Sequence, residues 1–202
     1  MAKYQRSNEE DLWIDRAAQG DDDAFAQIVD SYQIPVYNLC YRMLGNKEEA
    51  EDAAQETFLR AYRNLKRYDP KRKFATWLLS IASHYCIDRL RRRRLKLVSL
   101  DDLLPKRGRG ASTPGAEINY LQREHAEEIR SMLDGIGEKD RAAVILRYWY
   151  DFSYEEIAKS LSLSLPAVKS RLHRTRREMA NRWSVQGKAF AKGGTHDEAS
   201  AI

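Results

Sequence analysis

The stretch from Phe74 to Arg94 constrains the fold most, because it begins as an apolar helical pattern and ends as an arginine run. Apolar and aromatic residues recur there at three- and four-residue steps, with no Gly or Pro between them. They are Phe74, Trp77, Leu78, Ile81, Ala82, Tyr85 and Leu90. This spacing predicts one amphipathic helix with a core-facing side. Its cationic end can contact nucleic acid, or it can be the solvated charged face of a core helix.

Charge is segregated along the sequence. Residues 1–59 carry 5 basic and 13 acidic side chains, residues 60–110 carry 16 and 4, and residues 111–202 carry 14 and 13. The basic middle includes a loop at residues 64–73, in which an amide and an aromatic side chain stand among cations. Such a mixture suits phosphates together with unstacked bases. A polyanion would be drawn to the middle segment, whereas the acidic first third suits a basic protein surface.

The chain of 202 residues is long enough for two small helical domains, and we expect an all-α fold. Its two cysteines, Cys40 and Cys86, lie in apolar helical patterns, so neither a disulfide framework nor a four-ligand zinc site is expected. The first residues lack an apolar signal core, and no run approaches the roughly 20 apolar residues of a spanning helix. We therefore expect a soluble cytoplasmic protein without stable membrane insertion.

The first half predicts four helices that end at turn or capping signals. They cover residues 11–18, 24–44, 47–65 and 74–94. The third of these has an apolar face and an exposed face that begins acidic. Acidic residues near a helix N-terminus can simply complement the macrodipole, or they can dock on a basic protein surface.

Periodicity stops after this half, and Pro, Gly, Ser and Thr then interrupt the sequence. The predicted organisation is a domain at residues 10–96, a flexible linker at 97–117, a second domain at 118–183 and a disordered tail at 184–202.

The second domain ends in a helix-turn-helix pattern. Ser153 and Glu156 have the spacing of a capping box, residues 162–164 form the turn, and a basic helix follows at residues 164–181. Four residues form its inward stripe: Val168, Leu172, Thr175 and Met179. A basic amphipathic helix can also be a membrane-surface or calmodulin-type segment, but the capped helix before it favours insertion into a major groove.

The two blocks together resemble the extracytoplasmic-function (group 4) sigma factors of bacterial RNA polymerase over roughly residues 10–182. The sequences at residues 50–62, 74–78 and 88–91 are similar to sigma region 2. The sequences at residues 154–158 and 168–174 are similar to region 4. The resemblance implies core RNA polymerase and promoter DNA as partners, with an anti-sigma factor as a further expected partner and no cofactor or metal.

The resemblance also implies three sets of site residues. Core-polymerase binding is expected at Asp52, Gln55, Glu56, Phe58 and Leu59. Binding and melting of the −10 element are expected at Asn64, Lys66, Tyr68, Phe74, Trp77, His84, Arg89, Arg91 and Arg92. Recognition of the −35 element is expected at Pro166, Lys169, Ser170, Arg171, His173, Arg174 and Arg177. Which of the last set reads bases and which contacts phosphates stays open.

The sequence departs from the family pattern at two places: His84 replaces the usual Asn, and Pro166 with Ala167 replaces the commoner Gly-Thr.

Two other classes of protein compete with a sigma factor. A stand-alone helix-turn-helix regulator would not need the cationic, aromatic helix beside an acidic one. An enzyme such as a resolvase would need a catalytic constellation, and we find none in the sequence.

Overall fold

The computed structural model describes residues 8–101, 131–133 and 135–193, and these residues form helices joined by turns, without a strand in those ranges. We number seven helices in chain order. They are α1 (Asn8–Ala18), α2 (Asp22–Leu44), α3 (Lys47–Asn64), α4 (Phe74–Asp101), α5 (Glu138–Trp149), α6 (Tyr154–Leu161) and α7 (Leu165–Gly193). A 3₁₀ turn at Leu65–Arg67 follows α3. The all-α prediction is confirmed.

Capping residues begin and end the helices where the sequence indicates. Asp21 precedes α2 and accepts a hydrogen bond from the Ala24 amide at 3.0 Å. Gly45 ends α2 in the left-handed region at φ 72°, which costs a glycine little. Ser153 and Glu156 form the predicted capping box at the start of α6. Each cap satisfies backbone groups that the helix itself leaves unpaired.

Helix α2 is the centre of the N-terminal core, because α1, α3 and α4 all pack against it. Its inward side chains meet those of α4 with almost no exposed surface. The largest of them are Ile28, Leu39, Met43, Leu78 and Leu79. Burial of each such side chain stabilises the fold by about 1.5–3 kcal/mol, so the core fixes how the outward faces of α3 and α4 are presented.

The C-terminal helices pack on one another and also contact the N-terminal group. The Arg141 guanidinium donates to the Met43 carbonyl at 2.7 Å and to the Leu133 carbonyl at 2.7 Å. Met43 lies in the last turn of α2, where carbonyl groups have no helical partner. The Tyr150 hydroxyl donates to the Pro35 carbonyl at 2.6 Å. Arg141 and Tyr150 therefore connect α5 with α2.

Two helices continue past boundaries that the sequence predicts. Helix α4 continues to Asp101, past the linker start predicted at residue 97. Helix α7 continues to Gly193, through part of the tail predicted as disordered from residue 184. Both extensions lose the amphipathic pattern but contain no Pro, and backbone helicity needs no apolar stripe. The remaining linker and tail predictions, at residues 102–117 and 194–202, lie outside the described residues.

None of the helices within the described ranges has the length and apolar character needed to cross a bilayer.

Candidate nucleic-acid interface

The outward face of α3 combines acidic, amide and apolar side chains. Its inner face is small and buried, formed by Ala50, Ala53, Ala54, Thr57 and Ala61. The helical spacing therefore directs Asp52, Gln55 and Leu59 outward. The Asp52 side chain is 66% exposed, and Leu59 is 51% exposed. Two predicted docking residues, Glu56 and Phe58, are half-buried at the flanks of this face.

Ion pairs connect α3 with the arginines of α4. Asp52 Oδ2 lies 3.7 Å from an Arg89 guanidinium nitrogen, and Glu49 lies 3.9 Å from Arg93. Arg89 also donates to the Tyr85 hydroxyl at 3.3 Å. This hydrogen bond, with the nearby Glu49 and Asp52 carboxylates, raises the pKa of Arg89. Arg89 thus faces α3, which does not favour its predicted contact with −10 DNA.

An aromatic cluster fixes the start of α4. Phe74 is only 2% exposed, and its ring centroid lies 5.5 Å from that of Tyr32 and 5.3 Å from that of Tyr68. Tyr68 is also buried, and its hydroxyl donates to the Arg72 carbonyl. Such edge-to-face packing turns both rings into the core, which does not favour the direct DNA contacts predicted for Phe74 and Tyr68. Trp77 packs against both and stays half-buried at the edge of the cluster.

The remaining residues predicted to contact −10 DNA are exposed. They are Asn64, Lys66, His84, Arg91 and Arg92. The Asn64 amide donates to the Arg60 carbonyl at 2.8 Å, and His84 Nδ1 lies 2.9 Å from the Ser80 carbonyl. Helical spacing from Trp77 through His84 to Arg91 also brings Ser80, Ile81 and Asp88 to this face. That spacing is visible in the sequence, although the prediction includes none of these three residues.

Helices α6 and α7 form the predicted helix-turn-helix. Ser162 ends α6 in the left-handed region at φ 52°, and Ser164 accepts a hydrogen bond from the Ala167 amide at 3.3 Å. Val168, Leu172 and Thr175 of the inward stripe are buried. Six of the seven residues predicted to contact −35 DNA are exposed: Pro166, Lys169, Ser170, His173, Arg174 and Arg177. The seventh, Arg171, is half-buried.

Asp140 of α5 is absent from the site residues that the sequence predicts. Its Oδ1 accepts a hydrogen bond from Arg171 at 2.6 Å, and its Oδ2 accepts one from Arg174 at 2.8 Å. The partners lie 31 and 34 positions away along the chain, so no local pattern could reveal the contact.

The loop before α4 and the first turn of α4 contact the start of α6. Lys73 Nζ lies 3.1 Å from Glu156 Oε1, and the Thr76 hydroxyl lies 3.4 Å from the same oxygen. Burial raises the pKa of Glu156, but hydrogen bonds from Ser153 and Lys73 outweigh it and leave the pKa below its usual value. The Glu156 carboxylate therefore bridges the two groups of helices.

The two cysteines are buried and free. A hydrogen bond with Cys40, together with burial, raises the pKa of Cys86 well above its usual value. Both side chains are buried, so they serve as packing groups in this fold. Across the described ranges, no cluster of three or more His, Cys, Asp or Glu side chains is placed to hold a metal ion.

Comparison with known protein families identifies the class of protein to which this chain belongs. Residues 28–96 match Sigma-70 region 2, and residues 126–179 match Sigma-70, region 4. A helical protein with these two regions in this order is a sigma factor of the sigma-70 type.

A similar protein of known class shows to which group of sigma factors the chain belongs. The ECF RNA polymerase sigma factor SigW of Bacillus subtilis is 38% identical over 169 residues, which cover 81% of this chain and 90% of SigW. The chain therefore belongs to the extracytoplasmic-function (ECF) sigma factors, which direct promoter-specific transcription. The stand-alone regulator has no support from these matches.

Solved structures share the fold. CnrH, in complex with the cytosolic domain of CnrY, is 21% identical with a TM-score of 0.64, covering 88% of this chain and 99% of CnrH. The sigma factor RpoE from Bartonella quintana, in complex with the anti-sigma factor NepR, is 19% identical with a TM-score of 0.61, covering 80% of this chain and 97% of RpoE.

Proposed function

We propose that the chain directs initiation through three surfaces: α3 binds core RNA polymerase, α4 and the loop before it hold the opened −10 strand, and α7 enters the −35 major groove. The observation that carries this proposal is the outward acidic and apolar face of α3 beside the cationic outward face of α4. A single buried core supports both faces, so a polymerase bound to α3 would hold α4 at a fixed distance from the DNA.

The α3 surface has the composition of a docking site for a basic protein. Leu59 is an exposed apolar side chain that shares its face with Asp52 and Gln55. An apolar anchor surrounded by charge is typical of binding hot spots, in which the anchor contributes affinity and the rim contributes orientation and association rate. The half-buried Glu56 and Phe58 extend this surface at its flanks.

The α4 surface suits a single strand better than a duplex. Trp77 is held by buried rings on one side and can stack an unpaired base on the other. From Trp77 to Arg91, α4 extends about 21 Å, which allows several contacts along a strand. Phosphate contacts by Lys66, Arg91 and Arg92 offset the cost of unstacking. Lys73 forms an ion pair with Glu156, so it can contact the DNA strand only if this ion pair breaks.

The remaining assignments follow the same family. Residues 10–96 act as the region 2 unit and residues 118–183 as the region 4 unit. The chain binds without catalysing a reaction of its own, and it acts in the cytoplasm where polymerase works. An anti-sigma factor is the expected inhibitor, in keeping with the complex of RpoE with the anti-sigma factor NepR.

Run-off transcription with purified core polymerase tests this function. A pool of promoters is transcribed by core alone and by core with the chain, and the 5′ ends of the transcripts are mapped. We expect new start sites that share −10 and −35 sequences only when the chain is present. If the chain instead binds duplex operators alone and only changes the amount of transcript from existing start sites, the proposal fails.

A further inference from the structure

One carboxylate of α5 holds two arginines of α7. Asp140 lies in the first turn of α5, and its side chain is only 13% exposed. Each oxygen accepts from a different residue, Oδ1 from Arg171 at 2.6 Å and Oδ2 from Arg174 at 2.8 Å. Charge-assisted hydrogen bonds of this kind are shorter and stronger than neutral ones. The pair of contacts fixes the side of α7 that is turned toward α5.

The two arginines are not equivalent. The Arg171 side chain is 32% exposed and lies next to the buried stripe, whereas the Arg174 side chain is 62% exposed. On a helix, Arg174 is a neighbour of Ser170 and Arg177, both of which are exposed on the outward face. Arg171 is therefore placed to brace Asp140 against α7, and Arg174 is placed to reach a ligand in front of α7.

We propose that Asp140 is a positioning residue for −35 recognition, which orients Arg174 to read a base while Arg171 locks Asp140 in place. This inference rests on the proposed role of α7. A guanidinium has five N–H donors, so the one given to Asp140 leaves enough for O6 and N7 of a guanine. Because Asp140 restrains the long side chain before DNA arrives, less conformational entropy is lost on binding.

The test uses holoenzyme made from core polymerase and the full chain, on a promoter library randomised through the −35 element. For Arg174→Ala we expect a loss of preference at one base pair by roughly 5- to 150-fold, with other positions unchanged. For Asp140→Asn we expect a smaller loss at the same base pair. The amide places an NH2 donor where one carboxylate oxygen accepted from an arginine, so it cannot hold both arginines in their present positions.

The double variant separates positioning from a purely structural role. If Asp140 acts through Arg174, then Asp140→Asn combined with Arg174→Ala loses no more preference at that base pair than Arg174→Ala alone. Glu155→Gln is the matched control, because Glu155 is exposed on α6 and its change removes the same charge from the same group of helices. We expect this control to keep the wild-type preference, and thermal unfolding checks that each variant is folded.

Several results would overturn the inference. The inference fails if Asp140→Asn and Arg174→Ala alter the preference at different base pairs, or if their effects at one base pair add. It also fails if Arg174→Ala weakens binding to all promoter sequences equally, because Arg174 would then contact a phosphate. Each of these leaves the role of α7 intact. A wild-type holoenzyme without any −35 preference would instead contradict the proposed function, and the inference with it. Arg174 is an exposed side chain, so Arg174→Ala still tests whether Arg174 reads a base, as the inference requires, even if Asp140→Asn does not fold.

Discussion

Reversing two charges on α3 tests how the chain meets the polymerase. Asp52→Arg with Glu56→Arg replaces the acidic side of the proposed docking surface. In the folded chain, Asp52 loses a 3.7 Å pair with Arg89 and Glu56 loses a 2.8 Å pair with Arg60. Surface pairs of this kind contribute about 0.2–1 kcal/mol each, and the new like-charge contacts cost a similar amount.

The structural cost is therefore small compared with the expected binding cost. The free energy of unfolding should fall by about 1–4 kcal/mol out of a typical 5–15 kcal/mol, so we expect the variant to stay folded. Charge pairs that become buried on binding each cost about 2–5 kcal/mol when one partner is removed. Loss of two such pairs weakens binding by about 4 kcal/mol or more, which is roughly a thousandfold in Kd.

The assay is a fluorescence titration of labelled chain with core polymerase, supported by co-purification. The matched control is Asp15→Arg with Asp30→Arg, which changes the net charge equally at exposed positions of α1 and α2. We expect this control to bind nearly as well as the wild type. Unchanged binding by the α3 variant would refute the docking surface, and equal losses in both variants would mean that only net charge matters.

Three further predictions concern buried and bridging groups. Phe74→Ala should lower the free energy of unfolding by about 3–5 kcal/mol in urea, whereas Trp77→Ala should mainly reduce promoter opening; a stable Phe74→Ala variant would contradict the buried cluster. The pKa of Glu156 is lowered in the folded chain, so its ionised carboxylate stabilises the fold at a pH above its unfolded pKa, and this stabilisation is lost as the pH falls. Between about pH 5 and pH 3 the free energy of unfolding should therefore fall more for the wild type than for Glu156→Gln, and parallel pH curves for the two proteins would refute this. Buried Cys40 and Cys86 should react with a thiol reagent only after unfolding, and rapid labelling of the native chain would show otherwise.

Local signals in the sequence place several helix ends. Asp21, Gly45 and Ser153 cap helices through contacts only a few residues away, so their roles follow from short patterns. The outward residues of α3 and α7 follow from helical spacing in the same way. The late ends of α4 and α7 were not predictable from amphipathic spacing, because those segments stay helical without an apolar stripe.

Tertiary contacts decide the rest of the site. Phe74 has an apolar ring that could equally stack a base or fill the core, and only packing against Tyr32 and Tyr68 decides for the core. Arg89 and Arg92 look alike in the arginine-rich sequence, but Arg89 faces Asp52 across the α3–α4 contact. Asp140 has no sequence signature, since it meets its arginines only after α5 and α7 pack.

Fluorescence of 2-aminopurine placed in the −10 element measures the central claim most directly, because it rises when the base leaves the stack. The promoter is mixed with the chain alone, with core polymerase alone, with both, and with core plus the Asp52→Arg, Glu56→Arg variant. We predict a rise only for core with the wild-type chain. Opening by the chain alone, or full opening with the charge-reversed variant, would contradict the division of work between α3 and α4.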